Sequence, residues 1–235
     1  MSGIFGANRA TAITPITPIE TPVRRWFERL VALAALALAA PVCVAIAVAV
    51  RGEDGGPVLF RQRRVGRGGE LFELLKFRSM SVGTAGAAVT AAGDRRVTRT
   101  GRWLRKFKLD ELPQLWNVVK GEMSLVGPRP EVSRYVDKYS PMQRKVLDLK
   151  PGITDPASFA FFDESELLSQ AADSEQFYVD DLMPEKIRIN LEYAAIANFS
   201  TDLLLIFATV ARMFGVRIDI FAKLGLNLPQ VKAST

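Results

Sequence analysis

Three kinds of apolar spacing divide the chain. Leu30 to Val50 is uncharged and almost wholly apolar. At a rise of about 1.5 Å per residue, such a run reaches across the roughly 30 Å hydrocarbon core of a bilayer. Two β-capable stretches follow, Pro57 to Val65 and Leu71 to Met80. The Gly66-Arg67-Gly68-Gly69 turn between them predicts a hairpin. From Arg99 the period turns helical. Trp103, Leu104 and Phe107 interleave with Arg102, Arg105, Lys106 and Lys108, a basic amphipathic segment suited to a membrane surface. Asp110 is placed to N-cap the next helix, which runs through Leu112, Leu115, Trp116 and Val119 to Lys120-Gly121, with Pro113 in its first turn. Gly127-Pro128-Arg129-Pro130 is a rigid turn, and the rest reads as helical with breaks at Pro151-Gly152 and Pro184. Leu203 to Phe214 is apolar but too short to span, so it predicts a core or interfacial helix. The Thr-Pro pairs of residues 1–22 and the Gly/Ala/Thr-rich stretch 83–93 lack this periodicity and read as an extended tail and a mobile loop.

The long apolar run has two features that a simple span does not explain. Pro41 sits near its middle, where it removes a backbone hydrogen bond and clashes with the preceding turn. Its flanks are basic on both sides: Arg24, Arg25 and Arg29 before it, Arg51, Arg61, Arg63, Arg64 and Arg67 after it. Hydropathy alone favours an ordinary kinked span. The charge symmetry favours a re-entrant helix over residues 23–52 that enters and leaves by the cytoplasmic face, with residues 53–235 as one domain on that face.

Composition narrows the chemistry. A chain of 235 residues can bury a full-sized core, and its net charge of +6 suits an anionic partner. There is no histidine, and the single cysteine, Cys43, lies inside the apolar run. Imidazole bases, Ser-His triads, His-ligated metals, an intrachain disulfide and a CxxC site are therefore excluded. What remains is carboxylate, lysine, arginine and hydroxyl chemistry, or a hard metal held through oxygen. The adjacent Asp110 and Glu111 need no catalytic explanation by themselves, since anions suit a helix start. Their surroundings change that reading. Arg102, Arg105, Lys106 and Lys108 precede the pair, and Lys120 and Arg129 follow it, as in a phosphate site. Carboxylates beside phosphate imply a divalent cation, Mg²⁺, with Asp110 and Glu111 as its ligands. The prolines around Arg129 either stiffen a loop or hold one guanidinium for bidentate phosphate contact. Lys76-Phe77-Arg78-Ser79-Met80, by spacing alone, is a solvated strand end. Asp163-Glu164 reads as a solvated loop or helix cap before it reads as a second acidic site. A basic peripheral membrane scaffold accounts for the charge and the amphipathic helices, but not for the clustering of Asp110, Glu111 and Arg129. No nucleic-acid reading motif is present.

Gly56-Pro57-Val58-Leu59-Phe60-Arg61-Gln62 followed by Lys76-Phe77-Arg78-Ser79-Met80 resembles the opening of the bacterial sugar transferases, the small monotopic polyprenyl-phosphate phosphoglycosyl transferases. The stretch Asp94 to Pro130 is similar to the same family almost throughout. It includes Leu109-Asp110-Glu111-Leu112-Pro113-Gln114-Leu115, Lys120-Gly121-Glu122-Met123-Ser124 and Gly127-Pro128-Arg129-Pro130. The likeness covers roughly residues 24 to 215.

The resemblance implies an α+β fold, mostly helical and monotopic, with an N-terminal re-entrant membrane helix, a β-hairpin and interfacial amphipathic helices. It implies transfer of a sugar 1-phosphate from a UDP-sugar to polyprenyl phosphate at the bacterial inner membrane, releasing UMP, as the first membrane step of surface glycan assembly. By the family's motif Asp110 is the nucleophile, forming an aspartyl-phosphosugar intermediate, and Glu111 holds Mg²⁺ or handles a proton. Arg129 and Arg105 bind phosphate, and Lys76 and Arg78 are assigned to phosphate and nucleotide with them. A homodimer is compatible with all of this. The chain lacks the front membrane helices of larger relatives and so resembles the minimal form. Two positions depart from the family pattern. Ala40 stands before Pro41 where many relatives have serine. Asp155-Pro156-Ala157-Ser158-Phe159 follows Thr154 where many carry a Gln/Asn-Gly-Arg segment, so no sugar identity carries over.

Overall fold

The computed structural model describes residues 21–83, 90–216, 218–229 and 231. The Thr/Pro-rich tail as far as residue 20, and residues 84–89 at the centre of the expected mobile loop, lie outside them. Helix α1, Pro22–Asp54, begins where the Thr21 hydroxyl accepts the Arg24 N–H at 3.2 Å and Pro22 takes the first position. It ends at Gly55, left-handed at φ 69°. The helix runs uninterrupted through Pro41 for 33 residues, about 50 Å at the usual rise. Its most apolar stretch has a mean hydropathy of 2.7 and is 11% buried.

Both ends of α1 are attached to the rest of the protein. At the first, Arg24 pairs with Glu28 and Asp202, Phe27 meets Phe199 edge-on at 5.8 Å, and Ala32 packs with Val118 and Met123. At the second, Ile46 and Val50 pack with Phe77 and Leu104, Arg78 clasps Asp54, and Glu53 accepts the Arg99 N–H at 2.7 Å. Between them Leu38 and Val44 are 83% and 64% exposed.

The expected hairpin forms from β1, Leu59–Val65, and β2, Leu71–Phe77, antiparallel with Leu59 opposite Phe77 and Val65 opposite Leu71. Gly68 and Gly69 sit in its turn at φ 67° and 84°, values that glycine adopts without a Cβ penalty. Helix α2, Arg99–Lys106, is the expected basic amphipathic segment, with Leu104 fully buried and Trp103 exposed. Helix α3 is Gln114–Lys120, closed by Gly121 at φ 86°. It is welded to β2 by Asn117, whose amide oxygen accepts the Leu75 N–H at 3.1 Å while its nitrogen donates to the Glu73 carbonyl and the Glu122 carboxylate, both at 2.7 Å.

The pattern predicted a wholly helical later part of the chain, and the structure departs from that. Two parallel strands, β3 at Ser124–Val126 and β4 at Gly152–Thr154, enclose the short α4, Ser133–Val136. Strands this short carry no readable alternation. Helices α5 (Pro156–Ala160), α6 (Glu164–Gln170), α7 (Ser174–Phe177), α8 (Met183–Ile196), α9 (Phe199–Met213) and α10 (Ile220–Leu224) follow. Tyr135, Leu168, Leu182, Ile189, Leu205 and Ile220 belong to their common core. The expected choice for Leu203 to Phe214 was core or interface, and one face of α9 belongs to the core. Leu205 and Ala208 are fully buried, whereas Leu203, Phe207 and Phe214 face outward.

Gly127 and Gly152 set how closely the loop carrying Arg129 approaches β4. A Cβ on Gly152 meets the Gly127 nitrogen at 2.1 Å, and the Gly152 N–H donates to the Pro128 carbonyl at 3.0 Å. Gly152→Ala must push the two backbones apart. We expect it to lower unfolding stability by about 3 kcal/mol, read by denaturant titration, and to weaken whatever ligand Arg129 binds.

Candidate active site

The chain reverses sharply between α2 and α3. Lys108 has φ 53° and ψ 19°, the only positive φ outside glycine among the described residues. It leads into a single 3-10 turn, Leu109–Glu111. Asp110 is therefore not the N-cap of the following helix, as its sequence position suggested. Pro113 occupies the position before Gln114, where its rigid φ and missing N–H start α3 without a side-chain cap. The turn releases Asp110 from backbone capping. Its carboxylate is 7% exposed, and Oδ1 is buried with no hydrogen-bond partner among the described residues. Glu111 is engaged instead. Its Oε1 accepts from Lys76 Nζ of β2 at 3.0 Å and from Arg129 Nη2 at 2.7 Å.

The two neighbouring carboxylates are thus pushed in opposite directions. Burial chiefly raises the pKa of Asp110, with the Glu111 charge adding to it and Lys76, Arg105 and Lys108 opposing. Burial also opposes ionisation of Glu111, but Arg129, Lys76 and Lys108 outweigh it and hold that carboxyl well below its ordinary value. Burial and the neighbouring Arg129 lower the pKa of Lys76. Glu111 in turn raises that of Arg129. Such divergent environments for adjacent carboxylates are what a division of chemical roles requires.

These groups line one cleft of about 2420 Å³. Lys76, Arg105, Asp110, Glu111 and Arg129 all line it. The Arg105 side chain makes no hydrogen bond or ion pair among the described residues. Burial lowers its pKa while Asp110 pulls the other way, so its guanidinium is held near the pair and is available to an incoming anion. Arg78 also reaches the cleft wall, but its donors are committed. It binds Asp54 and the carbonyls of Pro57, at 2.6 Å, and Val50, at 3.2 Å, so it fastens the end of α1 to the hairpin. Lys120 pairs with Glu122 at 2.9 Å and stays outside the cluster.

Sequence reasoning missed the layer behind Arg129. Arg64 donates to the Pro130 carbonyl at 3.0 Å and pairs with Glu131 at 3.5 Å, and Tyr178 donates to Glu131. Glu164, read as a solvated position, instead accepts from the buried Lys186 at 2.7 Å. No spacing signal links positions so far apart in the chain.

A divalent cation fits part of the donor set. Among the described residues no group of three or more carboxylate, His or Cys ligands forms a cage. The bare Asp110 Oδ1 can supply one oxygen beside substrate phosphates, the arrangement Mg²⁺ favours. Glu111 already has two cations on Oε1, so of the expected ligand pair Asp110 is the better fitted.

Residues 19–216 match the profile described as bacterial sugar transferase. Among curated proteins, the UDP-N-acetylgalactosamine-undecaprenyl-phosphate N-acetylgalactosaminephosphotransferase of Aeromonas hydrophila is 36% identical over 222 residues, covering 89% of this chain and 48% of that protein. A UDP-glucose:undecaprenyl-phosphate glucose-1-phosphate transferase of Caulobacter vibrioides is 44% identical over 146 residues, 60% of this chain and 55% of that one. The Escherichia coli protein of the same description is 34% identical over 207 residues, 86% of this chain and 42% of that one. The chain thus spans about half the length of the curated relatives it matches.

Proposed function

The chain belongs to the bacterial sugar transferase family, and from that premise we propose that it moves a sugar 1-phosphate from a UDP-sugar to polyprenyl phosphate. The observation that carries this reading is the unequal acidic pair. One carboxylate is buried with a bare oxygen, and its neighbour is clamped by Lys76 and Arg129. The relatives named for this reaction act on undecaprenyl phosphate with UDP-glucose or UDP-N-acetylgalactosamine.

In the proposed reaction the Asp110 carboxylate attacks the phosphorus that bears the sugar. The bond from that phosphorus to the bridging oxygen breaks, and the oxygen leaves with its electron pair as part of UMP. The resulting acyl phosphate is a reactive donor. A phosphate oxygen of the lipid then attacks the same phosphorus, and the bond to Asp110 breaks, restoring the carboxylate. Arg129 and Arg105 offset the charge on the transferred group, and Lys76 shares that task while orienting Glu111. Mg²⁺, when bound, would neutralise the diphosphate and polarise the phosphorus. Incubating the protein with polyprenyl phosphate, Mg²⁺ and a panel of UDP-sugars should release UMP; absence of UMP with every donor refutes the reading.

We further propose that α1 is re-entrant at the inner membrane and leaves the catalytic domain on the cytoplasmic face, where nucleotide sugars are. Support comes from its two attached ends, since Arg24 and Asp54 both hold to one body while the exposed apolar residues lie between them. A span would place those ends on opposite sides of a bilayer, which needs one of the two attachments to break. In a Cys43→Ala background, single cysteines introduced as Arg9→Cys and Gly52→Cys should both be labelled from the cytoplasmic side. Labelling from opposite sides makes α1 a span.

A further inference from the structure

Glu164 at the start of α6 lines the same cleft as the acidic pair and takes no part in the chemistry proposed above. One of its oxygens, Oε2, accepts from Lys186 Nζ at 2.7 Å. Lys186 is itself fixed: it is 7% exposed, with Nζ 5.4 Å from the centre of the Tyr178 ring. The other oxygen, Oε1, makes no hydrogen bond among the described residues, and the Glu164 side chain is 28% exposed against 8% for Lys186. The cleft therefore has a carboxylate with one oxygen anchored in the wall and one left over.

The surroundings restrict what that oxygen can do. Burial opposes ionisation of Glu164, but Lys186, Arg129 and Lys108 outweigh it and keep the carboxylate charged. A group held ionised in this way is a poor general base. The same three cations repel a metal ion, and the carboxylate itself repels phosphate. What it accepts is a hydrogen bond from a neutral donor, and charge-assisted bonds of this kind are the strong ones. Arg129 feels the charge of Glu164 directly, so the carboxylate lies within electrostatic range of the phosphate clamp. In a nucleotide sugar, the neutral donors nearest the terminal phosphate are the hydroxyls of the sugar.

We infer that Glu164, held by Lys186, is a sugar-recognition residue whose free carboxylate oxygen accepts hydrogen bonds from hydroxyls of the hexose in the donor nucleotide. This rests on the reading of the cleft as a UDP-sugar site. Lys186 is its positioning partner, fixing the carboxylate so that little rotamer entropy is lost on binding.

The test is equilibrium binding by calorimetry, with every protein compared, the wild-type reference at position 164 included, carrying Asp110→Asn so that no phosphosugar is transferred to it. The ligands are UDP, UDP-glucose, UDP-galactose, UDP-N-acetylglucosamine and UDP-N-acetylgalactosamine, each with Mg²⁺. Glu164→Gln keeps the shape and an oxygen for Lys186 but turns the other position into a donor. Affinity for the best-bound UDP-sugar should fall about 10- to 100-fold, while affinity for UDP stays within about twofold. Glu164→Asp, which keeps the charge and withdraws it by one methylene, should behave alike and guards against a folding failure in the first variant. Deoxy analogues of the best donor, each lacking one hydroxyl, should include one that binds wild type and Glu164→Gln equally. Equal losses for UDP and UDP-sugar, or no loss for either, overturn the assignment while leaving the cleft a nucleotide-sugar site. If wild type binds neither UDP nor any UDP-sugar, the underlying reading fails, and this one with it.

Discussion

Asp110→Asn is expected to lower turnover by at least about 10⁴-fold, because an amide cannot form the acyl phosphate and no second nucleophile is available. Its nearest carboxylate, Glu111, is clamped through Oε1 by Lys76 and Arg129. Mass spectrometry supplies the sharper readout. Wild-type protein incubated with UDP-sugar and no lipid should gain one sugar phosphate on Asp110, and the variant none. An unmodified wild type that still turns over would replace the covalent route with direct displacement, in which Asp110 acts as a base. The variant should fold. Burial raises the pKa of Asp110, so its contribution to stability is fully present below the ordinary aspartate pKa and is lost as pH rises through the raised one. Removing the charge at neutral pH therefore costs no stability, and thermal unfolding of Asp110→Asn should match or exceed wild type. The same raised pKa places the acid limb of the wild-type rate profile above the usual aspartate range.

The second large effect falls on Arg129. Arg129→Met should lower kcat by about 10² to 10³-fold, the scale of losing one preorganised charge-stabilising donor. It should also destabilise the fold by about 3 kcal/mol, near the lower end for breaking a buried pair because the guanidinium is 31% exposed. The two effects separate by pH. Glu111 ionises well below its ordinary value in the folded protein, so its contribution is present above the unfolded pKa and is lost as pH falls through the folded one. Without Arg129 the carboxylate loses the largest of its stabilising charges. The stability gap between wild type and variant should be widest near neutrality and narrow on acidification, as the variant's Glu111 protonates first. A gap that does not change with pH would mean that Arg129 acts through packing rather than through Glu111.

Much of the architecture was legible locally. The hairpin followed from two β-capable runs around Gly68 and Gly69, and the boundaries matched to within a few residues. The long α1, the basic amphipathic α2 and the Gly121 helix end were equally readable, since each depends on neighbours within a turn or two. Strands β3 and β4 were not, because three residues are too few to show a period and their pairing joins segments far apart in the chain. Asp110 illustrates the limit of local reasoning. Its sequence context suits an N-cap, yet the left-handed Lys108 and rigid Pro113 hand the helix start to other residues.

The candidate site divides along the same line. Residue types and motifs alone excluded imidazole and thiol chemistry, singled out Asp110, Glu111 and Arg129, and tied them to phosphate. Tertiary structure decided which of the acidic pair is clamped, diverted Arg78 to the end of α1, and turned Glu164 from a solvated position into the partner of the buried Lys186. The physical reason is distance. An ion pair forms or fails within about 4 Å, and those separations are set by how β2, the Gly127–Pro130 turn and α8 pack together, not by the spacing of residues along the chain.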